Sequence, residues 1–302
     1  MMRKKLIRKF IAFAGMILLS LIATSFLFMK GIRGINDHNA FYGLEKDSLD
    51  VLFVGASHSY CAFSPEVLLR EYGLESYNLA SANQSMLSNY LWAKEARRSQ
   101  KYRTLVVECM SATMSHGDVE NDIRSMHSAY GSPVYLEMAG VYKRKSAEVL
   151  FPILVLHGGF DKVSLPAIWN TPGEARGYVT LPSRCGSDYT ASILSGDASA
   201  TTYLNFTYLE KIRNDCEENG IRLILVKTLM ASNEVNDWND GCHNEIAAYA
   251  QEHGLTFVDF NEPEVMEDAG MQIAEDVAAD LRHMNRYGAE KATKYIGALI
   301  GD

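Results

Sequence analysis

Cysteine is scarce in this 302-residue chain: Cys61, Cys109, Cys185, Cys216 and Cys242 are odd in number, widely scattered and form no C-x-x-C pair. A disulfide scaffold or structural zinc site is therefore not what organises the fold. A basic surplus is missing too, since 29 Lys and Arg face 37 Asp and Glu for a formal net charge of -8. That balance repels phosphate backbones and argues against nucleic acid as a partner. The chain also has no internal repeat and no low-complexity tract, and at 47% hydrophobic and 22% charged residues it reads as globular rather than disordered. His116, His127, His157 and His243, taken with Asp118, Asp122 and Asp161, match no ligand spacing, so no metal site is expected.

What is present begins with the first thirty residues. Arg3, Lys4, Lys5, Arg8 and Lys9 form a basic tip, and Phe10 to Met29 then contains no charged residue. A run of that length spans a bilayer as a helix, with the basic tip in the cytoplasm and the C-terminal bulk on the outer side. A cleaved signal peptide competes, because Ala23-Thr24-Ser25 is a weak small-residue site. The run continues past that site through Phe26, Leu27, Phe28 and Met29, which favours a retained anchor.

Residues 31–50 are polar and turn-rich and read as a linker between anchor and domain. From residue 51 to 302, short apolar runs at Val51–Val54, Tyr77–Leu79, Thr104–Cys109, Arg222–Val226 and Thr256–Phe260 alternate with helical patterns at Ser85–Ser99, Tyr203–Asn219, Gly241–His253 and Tyr287–Ile300. Such alternation predicts an α/β fold, a three-layer sandwich around a parallel sheet. Ser64-Pro65 marks a helix start, and Gly220 and Gly254 mark two helix ends. The stretch around 115–200, with Gly158-Gly159 and Gly173 to Gly177, is less regular and reads as an insertion able to overhang a site.

Two short segments carry the chemistry. Val51-Leu52-Phe53-Val54-Gly55-Ala56-Ser57 is a buried-strand pattern that delivers a serine at its C-terminal end, and Asp280-Leu281-Arg282-His283 offers a carboxylate and an imidazole three residues apart. Serine needs a base to remove its proton, and that base needs a partner to fix its tautomer. In parallel α/β sheets, sites form at the C-terminal strand ends, which would gather Ser57, Asn83, Ser111 and Thr228 along one edge. Glu108 ends an apolar strand, where a carboxylate is costly unless paired. His58, next to Ser57, would point away from a site that Ser57 faces.

With Gly55-Ala56-Ser57 near the start and Asp280-Leu281-Arg282-His283-Met284-Asn285 near the end, the chain resembles the SGNH/GDSL hydrolase superfamily. The likeness is closer to its exported, membrane-anchored bacterial members that act on cell-envelope saccharide or exopolysaccharide. The resemblance covers roughly residues 50–302, apart from the central insertion. It implies a flavodoxin-like parallel sheet, Ser57 as nucleophile, His283 as general base and Asp280 as its orienting carboxylate, with no cofactor. The family also takes oxyanion donors from a glycine after strand two and an asparagine after strand three. Here Asn83 stands where the glycine would fall, and Glu108-Cys109-Met110-Ser111-Ala112 has no Gly-x-Asn-Asp, so either Asn83, Ser111 or a group from the insertion substitutes or the protein is a poor hydrolase.

The expected activity is that of an extracytoplasmic serine esterase removing or transferring a small acyl group, such as acetyl, on an envelope saccharide or other ester. One alternative is a polysaccharide O-acyltransferase fed by a membrane acyl-donor partner; another is a catalytically silent protein that binds polysaccharide or an envelope complex. Trp169 and Tyr178 either stack on sugar rings or serve ordinary packing, and Trp238 to Asn244 resembles a Trp-then-His-Asn stretch of the anchored relatives, able to line a saccharide groove.

Overall fold

The computed structural model describes residues 2–32, 38–113, 118–164, 175–187, 190–191, 206–232 and 237–301. Trp169 and His116 lie outside the described residues, as do the side chains of Trp238, Cys242 and His243.

Five strands form one parallel sheet: β1 (Val51–Val54), β2 (Ser76–Asn78), β3 (Thr104–Glu108), β5 (Arg222–Lys227) and β7 (Thr256–Asp259), in the order β2-β1-β3-β5-β7. A small antiparallel ribbon pairs β4 (Thr190–Ala191) with β6 (Ala231–Ser232). Residues of β1 and β3 are buried throughout, the continuous apolar reading of a sheet covered on both faces.

Alternate side chains serve different layers. Leu52, Val54, Leu105, Val107, Leu223 and Leu225 face one core, with Leu91 and Trp92 of α4 (Met86–Ala96), Leu209 and Ile212 of α9 (Thr207–Asn219) and Ile246 of α10 (Asp237–Glu252). Val51, Phe53, Val106, Ile224 and Val226 face the other, with Phe63, with Leu68 of α3 (Pro65–Tyr72) and with Ala292 and Ile296 of α13 (Arg286–Gly301). The fold is thus a three-layer α/β sandwich, as the alternating pattern predicts. The side chain of Ser64 accepts from Val67 N to cap α3, with Pro65 in its first turn, and Gly73 closes it in the left-handed region. Short helices α11 (Pro263–Asp268) and α12 (Ile273–Asp276) lead to α13.

The N-terminal helix α1 (Met2–Gly31) is long and apolar enough to cross a membrane, by length and composition. Phe10, Phe13, Leu18, Leu19 and Ile22 point outward, whereas Phe28 and Met29 in its last turn are buried against the domain. There Lys30 Nζ donates to Ser128 O at 2.5 Å, His127 Nδ1 lies 3.1 Å from Met29 O, and Ser164 N donates to Gly31 O at 2.9 Å. Part of the stretch read as a linker, residues 38–50, also lies on the domain. His38 is fully buried, with Nε2 2.9 Å from Ala80 O, and Phe41 and Leu49 enter the core. Averaged polarity hides these three residues.

The described part of the 115–200 stretch is largely helical: α5 (Val119–Ser125), α6 (Pro133–Val141), α7 (Ser146–Leu150) and α8 (Ile153–Leu156). Residues 175–187 run in irregular conformation along the sheet's C-terminal end. Asn78 N at the end of β2 donates to Arg176 O (3.0 Å), Val179 N to Tyr60 O (2.9 Å) and Arg286 N to Leu181 O (2.9 Å). This segment supplies partners to the exposed side of the edge strand β2.

Candidate active site

Between β1 and α2 (Ser57–Ala62) the chain turns through Gly55 and Ala56, so that Ser57 opens the helix at the C-terminal end of the sheet. Gly55 is required by close approach: a Cβ there would fall 2.6 Å from Glu108 Cβ and 2.8 Å from Ser59 Cβ. On the neighbouring strand, Glu108 accepts from Met110 N at 2.8 Å and from Ala56 N at 3.4 Å. Its carboxyl ties the turn before Ser57 to the end of β3. Burial pushes Glu108 up to about 8, against the pull of those two donors.

The second segment is a tight turn ahead of α13. Asp280 Oδ1 accepts from Arg282 N (3.0 Å) and His283 N (3.1 Å), and Leu281 between them sits at φ 65, a left-handed conformation costly for a branched side chain. Ala231 N donates to Leu281 O and Ala278 N to His283 O, closing the loop from both sides. Asn285 locks it from below. Its side-chain oxygen accepts from Tyr287 N and Gly288 N to cap α13, and its amide donates to Glu275 O and Val277 O.

These two turns bring the three sequence-predicted residues together. His283 Nδ1 lies 2.7 Å from Asp280 Oδ2, and His283 Nε2 lies 2.8 Å from Ser57 Oγ. A carboxylate only accepts, so Nδ1 carries the proton and donates to Asp280, leaving the Nε2 lone pair to accept from the Ser57 hydroxyl. Burial of Asp280 works against its charge, but the His283 ring and the two backbone N–H groups outweigh it and hold the carboxyl below its ordinary value. The side chains of Asp280 and His283 are 47% and 20% exposed, so the triad opens to solvent.

His58 is buried, with its ring centroid 4.7 Å from that of His283. Burial, reinforced by repulsion from His283, lowers it to about 3. The unfolded chain therefore binds a proton near 6.5 that the folded chain refuses until about 3, and His58 makes stability fall as pH drops through that window. Glu108, raised in the fold, acts in the opposite sense and makes stability fall as pH rises from about 4.5 to 8. Comparing urea midpoints of the full-length protein at pH 7 and pH 4.5, His58→Gln is expected to show a smaller acid loss than the parent. An equal loss would remove His58 from the account.

The oxyanion candidates differ in access. Asn83 is exposed in the β2–α4 loop at φ 53, a left-handed value that Asn tolerates better than most residues. Ser111, in the 3-10 helix Cys109–Thr113 after β3, is fully buried and its Oγ has no hydrogen-bond partner among the described residues. Tyr178 is half-buried in the 175–187 segment.

Sequence reading misses what holds the Asn83 loop. Asn121 Nδ2 donates to Asn83 O, and the carboxyl of buried Asp122 accepts from Ser85 Oγ (2.5 Å), Ser88 Oγ (2.8 Å) and Tyr142 Oη. In the sequence Asp122 stands out only as a conceivable metal ligand; among the described residues no cluster of three or more His, Cys, Asp or Glu is placed to hold a metal. Truncating Asp122 leaves the buried hydroxyls of Ser85 and Ser88 and the half-buried hydroxyl of Tyr142 without their acceptor. Asp122→Ala is thus expected to lower unfolding free energy by about 1–3 kcal/mol and to speed amide exchange at residues 82–85, read by denaturant titration and hydrogen exchange. Unchanged exchange would show that α5 does not hold the loop.

No family model matches the chain, and no curated protein matches it. Among solved structures, the chain is similar to one described as a lipolytic protein of G-D-S-L family from Desulfitobacterium hafniense, at 13% identity, 82% coverage of this chain, 98% of the other and a TM-score of 0.42. It is also similar to a GDSL-like lipase from Bacteroides thetaiotaomicron (13% identity, 86% and 91% coverage, TM-score 0.37) and to an acylhydrolase structure from Bacteroides fragilis (10%, 83% and 85%, TM-score 0.35). The chemistry of the site stands on Ser57, His283 and Asp280 themselves.

Proposed function

We propose that the protein is a serine ester hydrolase of SGNH type, and that its substrate is a small acyl ester, such as acetyl, on a cell-envelope saccharide. The observation that carries the reading is the unbroken relay from Ser57 Oγ through His283 to Asp280, at 2.8 and 2.7 Å. His283 Nε2 takes the Ser57 proton as Oγ attacks the ester carbonyl. The tetrahedral intermediate collapses by expelling the alcohol, which receives that proton from His283, and an acyl-serine remains. Water, or a sugar hydroxyl in a transfer reaction, then attacks the acyl carbonyl while giving its proton to His283, and the second tetrahedral intermediate breaks its bond to Oγ as His283 returns that proton to Ser57. The backbone N–H groups of Ser57, in the first turn of α2, and of Asn83, exposed in its loop, serve as oxyanion donors in this reading. The side-chain donor the family places after strand three is missing, Ser111 in that place being fully buried, and one lost donor costs on the order of a hundred- to a thousandfold in rate. A modest hydrolase, or one that favours a carbohydrate acceptor, is what that loss leaves.

The apolar, outward-facing α1 supports a single-pass anchor, with residues 1–30 as cytoplasmic tip and span, and the domain from residue 51 outside the cytoplasm. The experiment is acetyl release from p-nitrophenyl acetate by the full-length protein in detergent, with and without an oligosaccharide acceptor. Release to water supports the esterase. Release accelerated by the acceptor, with acetylated sugar recovered, supports transfer. No release under either condition overturns the catalytic reading in favour of a binding role.

A further inference from the structure

Outside α1, the large apolar side chains that stay exposed among the described residues are Tyr42, Leu69, Tyr72, Leu136, Val141, Leu150 and Leu154. Four of the seven sit on the consecutive helices α6, α7 and α8. Their inward residues, Tyr135, Met138, Val149 and Leu156, are buried in the domain core, so the exposed set forms the outer side of a helical unit that is already folded. Lys143, Arg144 and Lys145, all exposed, form the 3-10 turn between α6 and α7. The unit also touches the anchor. The last turns of α1 pack on α8 and on the 3-10 helix His127–Ala129, and Ile32 pairs in a β-bridge with Val163.

A surface of this kind, apolar residues beside a basic cluster at the point where a spanning helix leaves the bilayer, meets acyl chains and anionic headgroups at once. We propose that the outer side of α6–α8 is a membrane-docking surface that lies in the headgroup region of an anionic leaflet, continuous with the span. The proposal rests on the reading of α1 as a retained anchor. Leu154, on the helix that touches α1, goes deepest; Lys143, Arg144 and Lys145 bind the lipid phosphates. Docking adds a second hold beside the helix and sets the tilt of the domain.

The test uses the full-length protein reconstituted in phosphatidylcholine–phosphatidylglycerol vesicles, with lipids brominated on the acyl chain as quenchers. Leu154→Trp and, separately, Leu136→Trp are expected to gain emission that bromolipid quenches and that shifts to the blue. Leu69→Trp, on α3 in the opposite layer of the sandwich, is expected to gain emission that is not quenched. Replacing Lys143, Arg144 and Lys145 by glutamine in the Leu154→Trp protein should lower quenching to the level seen in phosphatidylcholine alone. Flotation of the same samples separates the two readings. A chain that fails to float with vesicles lacks the anchor, and the docking surface falls with it. A chain that floats while Leu154→Trp and Leu136→Trp are quenched no more than Leu69→Trp overturns the docking surface alone. Quenching that vanishes on raising protein over lipid identifies a second copy of the chain as the occupant, and also overturns it.

Discussion

Replacing Ser57 by alanine is expected to cut acetyl release from p-nitrophenyl acetate by about ten-thousand- to million-fold, because the proposed triad, stripped of its nucleophile, would keep only binding and oxyanion stabilisation. The same geometry makes a sharper statement about Asp280. Its Oδ1 is held by the backbone N–H groups of Arg282 and His283, and its Oδ2 faces His283 Nδ1. In Asp280→Asn the amide oxygen must take the Oδ1 place, since an NH2 there would face two donors. The NH2 then points at Nδ1 and donates to it, which forces the ring proton onto Nε2, where the Ser57 hydroxyl needs a lone pair. Asp280→Asn is therefore expected to lose about ten-thousandfold in kcat. Asp280→Ala, which leaves the ring free to hold either tautomer, should retain more activity than the asparagine variant. Steady-state kinetics of the two variants decide the point: if alanine is the more damaged, the tautomer argument is wrong even though the triad stands.

The second large effect concerns stability. A methyl group at Gly55 meets two Cβ atoms, those of Glu108 and Ser59, neither of which is the movable end of a long side chain. Gly55→Ala must push β1 away from β3 or bend the turn before Ser57. Overpacking of this kind costs about 1–3 kcal/mol, here at the upper end, and about 3 kcal/mol is roughly 6–12 °C in Tm for a domain of this size. A displacement near 1 Å at Ser57 Oγ would lower kcat about a hundredfold besides. Gly43→Ala is the control, since a methyl group there would have no atom within 4 Å and its φ is not left-handed. If the two variants melt together, the packing against Glu108 is not what demands glycine at residue 55.

How much of this is open to a reader of the sequence depends on how local the cause is. The strands are legible because a parallel strand covered on both faces is apolar at every position, and Val51–Val54 and Thr104–Glu108 are written nearly that way. The catalytic candidates are legible because Asp280 and His283 share one turn and Ser57 ends a strand. Glu108 can be flagged as a costly carboxylate, but its partner Ala56 N lies 52 residues away and belongs to a neighbouring strand's turn. Asp122 cannot be assigned at all, since its value lies in reaching Ser85, Ser88 and Tyr142, which only the packing of α5 and α6 on α4 brings together. Leu281 gives no sign of its left-handed backbone, because leucine carries no propensity for it and the turn around Asp280 imposes it.

The hydrogen bonds between the end of α1 and the domain, through Lys30, His127 and Ser164, have a mechanical meaning. A globule on a slack leash samples a hemisphere of heights and bearings; one clamped to the top of its stalk does not. Held this way in a bilayer, Ser57 would sit at a single altitude and on a single heading, so that whatever it meets must be brought to it rather than searched for.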